Sequence, residues 1–190
     1  CIGSWHYDKW RYYDNTYKTP NQVIDMLIDI VSKNGNLLLN IPVKSDGTID
    51  PTERRIVEEI GHWMQINGES IYGTRPWVIY GEGPSTEKKN AIKAQGFNEG
   101  NVKLGATDVR FNKKGNVLYV SLLGVPQSDI VVKALGKKGK LQAKPKKVEL
   151  LGSNEKVSWY QAADGLHITQ PKQSPCTEAI VFKVTTNRAL

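Results

Sequence analysis

The stretch NGNLLLN, residues 34–40, decides how the first part of this chain is read, together with SDGTIDP at 45–51 and NGESIYGTRPW at 67–77. Residues 36–41 carry three consecutive leucines and no polar alternation, the pattern of a parallel strand covered on both faces. Ahead of it, Thr19-Pro20-Asn21-Gln22 offers an N-cap, a proline at the first helical position and a glutamine placed to complete a capping box. Val23, Leu27, Ile30 and Val31, with Ile24 and Ile28 beside them, continue at helical spacing, and Asn34-Gly35 supplies the stop. Behind it, Ser45 to Thr48 has turn chemistry, and Asp50-Pro51-Thr52-Glu53 repeats the cap in front of Ile56, Val57, Ile60, Trp63 and Met64. Helix, buried strand, helix is the repeat of a parallel α/β sheet. One strand cannot close a sheet, so its neighbours are expected outside these residues.

From Trp77 onward the period changes to short runs rich in β-branched and aromatic residues. Strands are expected at 77–80, 109–112, 117–122, 147–151, 157–160, 166–169 and 179–184, with hairpin connections at 112–116 and 163–165. Seven such runs predict an antiparallel β-sandwich. The stretch 81–100 has no strong period and reads as a long mobile excursion; Gly81 and Gly83 are too isolated to form a phosphate-binding loop. The expected division is 1–77 and 78–190.

The chain has 190 residues, 39% of them hydrophobic and 24% charged, enough for an ordinary core and too apolar for disorder. No apolar run approaches the roughly 18 residues of a membrane helix, and CIGSWHYDKW lacks the basic-then-apolar pattern of a signal peptide, so no membrane partner is expected. Cys1 reads as a fragment boundary rather than a lipid-bearing terminus, because an aromatic block follows it at once. With Cys176 it makes two free thiols. The net charge of +7 is uneven: residues 1–77 hold 8 basic and 10 acidic side chains, residues 78–190 hold 18 and 9. In the second part only Arg110 and Arg188 are arginine, and the densest run, KALGKKGKLQAKPKK at 133–147, has no interleaved aromatic. Nucleic-acid recognition favours arginine forks and stacking rings, so a solvated lysine-rich loop is the reading and no nucleic-acid partner is expected.

Residues 1–17 hold Trp5, Tyr7, Trp10, Tyr12, Tyr13 and Tyr17 with hardly an aliphatic among them, which fits a loop. Flat rings stack on the apolar faces of sugars, and Trp5 is the sharpest candidate, although packing is the plainer role on the residues alone. His6, His62 and His167 show no ligand spacing, so neither metal nor other cofactor is expected. No nucleophile elbow occurs, and no cysteine has a local base. The acidic residues of the first part, among them Asp25, Asp29, Asp50 and Glu53, are assigned to caps and solvated helix faces. Asn40, at the end of the expected strand, would either touch substrate or hold the following loop by hydrogen bonds, and the second role is the one preferred.

The three segments, in this order, resemble the end of the catalytic domain of α-L-fucosidases of glycoside hydrolase family 29. SWHY at 4–7 is similar to the family's Ser, Trp or Phe, Gly, Tyr run, with His6 where the family usually has glycine, and ADGLHITQP at 163–171 looks like its penultimate strand. The resemblance implies the C-terminal βα portion of a TIM-like barrel followed by a β-sandwich packed behind it. It implies a retaining exo-acting enzyme, secreted, periplasmic or lysosomal, that removes terminal α-L-fucose from glycans. Trp5 would wall the fucose pocket. The catalytic Asp and Glu would lie upstream, so no catalytic residue is expected here, and the N-terminal barrel portion would be an obligatory partner. The alternative from another class is a non-catalytic carbohydrate-binding or structural module.

Overall fold

A computed structural model describes residues 1–87 and 104–190. Three helices, α1 (Lys9–Asp14), α2 (Pro20–Ser32) and α3 (Pro51–Asn67), precede eight strands: β1 (Arg75–Glu82), β2 (Val109–Lys114), β3 (Val117–Leu122), β4 (Ile130–Val132), β5 (Pro145–Leu150), β6 (Trp159–Gln161), β7 (Leu166–Ile168) and β8 (Ile180–Thr186). The expected excursion at 81–100 lies mostly outside the described residues, but its first residues end β1 and form a 3-10 turn at Pro84–Thr86.

Both long helices begin where their caps require. Thr19 accepts from the Gln22 amide while the Gln22 side chain accepts from the Thr19 amide, a complete capping box. Asp50 Oδ1 accepts from the Glu53 amide at 2.9 Å, with Pro51 at the first helical position. At the other end of α2, Asn34 rather than Gly35 takes the left-handed conformation at φ 68°. The amides of Gly35 and Asn34 donate to Ile30 and Val31, which is the Schellman arrangement.

The strands form a five-stranded sheet, β1-β2-β3-β8-β5, and a three-stranded sheet, β4-β7-β6, with every pairing antiparallel. Alternation in the central strands sorts side chains between two cores. Leu118, Val120, Leu122, Ile180, Phe182 and Val184 point into the sandwich, where Trp77 meets Phe111 edge-on at 5.1 Å between centroids. Tyr119, Leu123, Ala179 and Val181 emerge on the other face and pack with Ile24, Ile28 and Trp63 of the helices. The five-stranded sheet is thus covered on both sides, which is why VLYVSLL at 117–123 shows no polar alternation. Trp63, fully buried, also donates from Nε1 to the Ala179 carbonyl at 2.8 Å, tying α3 to the start of β8.

Three local expectations are corrected. Residues 36–41 do not form a strand: no strand of this chain lies beside them, and a strand exists only through its neighbours' hydrogen bonds. Leu38 is instead 82% exposed. Part of the aromatic loop coils into α1, capped by Asp8, with no buried residue to betray it by periodicity. The three-residue β4 was too short to read, and it makes eight strands where seven were expected.

The face of α2 is also rotated from the expected stripe. Its buried residues are Val23, Ile24, Asp25, Ile28, Asp29 and Ser32, while Leu27, Ile30 and Val31 are only half-buried. The acids go inward because Arg110 of β2 waits there. Its guanidinium, 1% exposed, donates from Nε to Asp29 Oδ1 at 2.6 Å, from Nη2 to Ser85 Oγ at 2.8 Å and from Nη1 to the Val109 carbonyl at 3.0 Å. Gly81 makes room for it, since a Cβ there would lie 2.9 Å from Arg110 Cδ.

Candidate functional site

The candidate site is built on the segment 1–17, whose backbone is fixed at several points although its rings are largely exposed. Ile2, buried among helices, donates its amide to the Asn40 carbonyl at 3.3 Å and accepts from the Lys18 amide at 2.8 Å. Arg11 reaches back from α1, donating from Nε to Ser4 Oγ at 2.9 Å and from Nη1 to the Thr16 carbonyl at 3.1 Å. Ser4 in turn donates to Asp8, the cap of α1. These contacts close the segment into a small hydrogen-bonded loop.

Trp5 sits at its apex with its side chain outward, 58% exposed. Asn40 Nδ2 donates to the Trp5 carbonyl at 3.0 Å and lies 3.4 Å from that of Ser4. The amide of residue 40 therefore holds the backbone of residue 5 while the indole stays free. Trp10, Tyr12 and Tyr13 are exposed on the neighbouring helix, with Tyr13 placed 6.0 Å from Trp10 and 5.7 Å from Tyr12 between ring centroids. His6 is exposed beside Trp5, while His62 is exposed on α3 and His167 lies on β7, stacked on Tyr160. Among the described residues no cluster of three His, Cys, Asp or Glu side chains could hold a metal ion.

Beneath the loop lies a contact that sequence reasoning did not single out. Tyr17 donates its hydroxyl to Asp50 Oδ2 at 2.6 Å, joining the loop to the first turn of α3. Burial and the Asp50 carboxylate raise the Tyr17 phenol far above its usual range, so it remains a donor. Tyr7 is raised as well, by loss of solvation first and by Asp50 second. Glu53, next to the Asp50 cap, is buried with both carboxyl oxygens unpartnered; desolvation first and the Asp50 charge second push it up to about 7. Asp25 is pushed up to about 7 by burial, against the opposing pull of Asn21 and Arg110. These groups are buried rather than solvated, contrary to the expectation for the first part's carboxylates. Asp25 has its hydrogen bond from Asn21 on its own helix and Glu53 has both oxygens unpartnered, so no pairing pattern in the sequence marked their burial.

The arrangement presents flat aromatic surface on a fixed backbone.

Residues 1–69 match the family model described as Alpha-L-fucosidase, and residues 105–185 match that of the Alpha-L-fucosidase C-terminal domain. The tissue α-L-fucosidase of Mus musculus is 31% identical over 186 residues, covering 96% of this chain and 35% of that protein. The Homo sapiens tissue α-L-fucosidase is 29% identical over 166 residues, covering 87% and 30%. Among solved structures, the Thermotoga maritima α-fucosidase is similar with a TM-score of 0.70 at 26% identity, covering 97% of this chain and 38% of that one. The chain thus spans about a third of the length of the relatives it matches. Its two matched segments run in the family's order, helices first and sandwich second, and on that ground the chain belongs to the α-L-fucosidase family, whose C-terminal part it covers.

Proposed function

We propose that the whole protein is a retaining exo-α-L-fucosidase that releases terminal α-L-fucose from glycans, and that Trp5 contacts the sugar. The observation that carries the reading of Trp5 is its combination of a pinned backbone and a free ring: Asn40 fixes the Trp5 carbonyl, yet the indole is 58% exposed. An apolar ring left in water on a rigid loop suits stacking on a pyranose face. In this proposal hydrolysis runs through a covalent fucosyl-enzyme, with one carboxylate as nucleophile and a second carboxyl as acid and then base. Both carboxyls are placed upstream of these residues, and the chain by itself is inactive.

Residues 1–77 are proposed as the end of the catalytic barrel and 78–190 as the sandwich domain, with the partner an N-terminal barrel portion. The run Leu37–Leu39 supports this, with Leu38 exposed and its two neighbours half-buried, because three leucines without strand neighbours among the described residues are suited to pairing with strands supplied from elsewhere. A secreted, periplasmic or lysosomal setting goes with the glycan substrate; among the described residues no helix is long and apolar enough to cross a membrane.

The test is Trp5→Ala in the full-length protein, assayed on an aryl α-L-fucoside together with its melting temperature. Loss of a stacked ring should cost about 1 to 3 kcal/mol in the transition state, or roughly 5- to 150-fold in kcat/KM, at unchanged stability. Unchanged efficiency would remove Trp5 from the site, and no hydrolysis by the full-length wild type would sink the activity itself.

A further inference from the structure

The lysine-rich run 133–147 contains seven lysines and no Asp or Glu. It is not the loose loop that its Gly and Pro content suggests. The Lys140 and Leu141 amides donate to the Ala134 carbonyl at 2.7 and 3.2 Å, the Lys137 amide donates to Ala162, and the Lys144 amide donates to Asn187 Oδ1 at 2.8 Å. From 140 to 146 exposure alternates strictly: Leu141, Ala143 and Pro145 are buried, while Lys140, Gln142, Lys144 and Lys146 face outward. The chain bends at Lys140 and Ala143 before it enters β5 at Pro145, and this fixed course turns every second side chain outward.

The C-terminal segment adds a guanidinium to this row. Arg188 Nη2 donates to the Gln142 carbonyl at 2.7 Å, which brings the arginine to the gap between Lys140 and Lys144. Among the described residues Lys147 is paired with Glu149, whereas Lys140, Lys144 and Lys146 form no ion pair. The result is a line of four unneutralised cations along the edge strand β5 and the segment entering it.

We propose that this strip, Lys140, Arg188, Lys144 and Lys146, binds a sulfated polysaccharide. Ammonium groups and a guanidinium fork suit sulfate oxygens, and a backbone fixed by hydrogen bonds holds them in sequence order for a linear polyanion. Nucleic acid fits less well, because no aromatic stands in 133–147 to stack on a base. An anionic membrane fits less well too, because the apolar residues of the run point into the core and none is left to enter a lipid surface. The choice of a glycan among polyanions rests on the proposed function; the strip itself does not. Lysines on an edge strand also guard against edge-to-edge pairing. Such a guard needs charge on β5 only and gives no role to Lys140, Lys144 or Arg188, which lie outside it.

The experiment measures binding of the full-length protein to fluorescent dextran sulfate and to unsulfated dextran of the same length, across a salt series. The variant K140Q/K144Q/K146Q/R188Q is compared with K114Q/K156Q/K172Q/R54Q, which removes the same charge elsewhere; melting temperatures confirm that both fold. Dextran sulfate should bind with an affinity that falls steeply with salt, and plain dextran should not bind. The strip variant should lose roughly tenfold or more at about 0.1 M salt, the control variant far less. Equal losses would reduce the effect to diffuse net charge and overturn the site. Tighter strip-dependent binding of duplex DNA or of phosphatidylserine vesicles would overturn the ligand class. Aggregation of the strip variant with dextran sulfate affinity retained would leave only the edge guard. None of these readouts uses fucoside hydrolysis, so the strip and the proposed activity fail separately.

Discussion

Removing Asp29 should destabilise the protein more than removing an exposed carboxylate such as Glu58 of α3. The Arg110 guanidinium is 1% exposed, and Asp29 Oδ1, 2.6 Å away, is its only ion-pair partner among the described residues. At an effective dielectric near 20, unit charges centred about 4 Å apart attract by about 4 kcal/mol, and removing one member of a buried pair costs about 3 to 5 kcal/mol because the survivor stays desolvated. Asp29→Ala leaves Arg110 with the Ser85 hydroxyl and the Val109 carbonyl, which satisfy hydrogen bonds but not charge. A loss of about 3 kcal/mol is expected, at the lower end because Asp25 lies near enough to feel the Arg110 charge and could ionise more readily. Arg110→Met should cost less, since Asp29 keeps Lys33 at 2.7 Å. Asp29→Leu combined with Arg110→Met should recover much of the deficit, as apolar replacement of a whole buried pair often does. Urea unfolding of the three variants and wild type, at one pH and salt, measures all of this. A cost below about 1 kcal/mol for Asp29→Ala would refute the reasoning, because it would mean that Arg110 reaches water or another carboxylate without strain.

Asp25 and Glu53, both raised in the folded state to about 7, bind protons more tightly there than when unfolded. Each therefore contributes stability that is complete below about pH 4 and is lost as pH rises to about 7, at about 1 kcal/mol per pH unit. Asp25→Asn and Glu53→Gln should each gain on wild type as pH rises from 4 to 7; differences independent of pH in urea unfolding would remove the linkage. Trp63→Ala should cost about 3 to 5 kcal/mol by emptying the helix-sheet core, and Trp63→Phe about 1 to 2 by leaving the Ala179 carbonyl unpaired. Equal losses for the two in chemical unfolding would assign the whole effect to the hydrogen bond. Asn40→Ala should leave unfolding within about 1 kcal/mol of wild type, since its bond to the Trp5 carbonyl is exposed. In the full-length enzyme it should still lower kcat/KM, and an unchanged value would show that the loop holds Trp5 without residue 40.

What was legible in the sequence was what neighbours in sequence decide. The caps at Thr19 and Asp50 act over three residues, and both helices begin where they dictate. Hairpin β2-β3 follows from Gly115 with φ 60° between two runs rich in β-branched and aromatic residues. What failed depended on partners far away. Leucine spacing turned α2 toward Leu27 and Val31, but Arg110, 81 residues on from Asp29, draws the acidic edge inward instead. Gly81 looked meaningless because the side chain it accommodates lies 29 positions later, across a β-bulge. Leu37 to Leu39 have the hydrophobicity of a buried strand and form none here, since hydrophobicity specifies what a strand needs and cannot supply its neighbours.

The candidate site divides along the same line. Trp5 could be picked out because it belonged to no hydrophobic stripe, and a large ring with no stripe to join has only two roles, packing by accident or contact by design. The structure leaves that ring open while fixing its backbone through Asn40, 35 residues away, and fixes the loop beneath through Tyr17 and Asp50, 33 residues apart. Holding the backbone at an exposed aromatic does little for stability, because an indole in water stabilises neither the loop nor the core. On the proposed function, that rigidity serves a sugar that meets the ring at one place. The same argument separates Trp5 from Trp63, whose ring is equally large and equally fixed but wholly enclosed. The two tryptophans therefore predict opposite signatures, a binding loss without unfolding at one and unfolding without a preceding binding loss at the other.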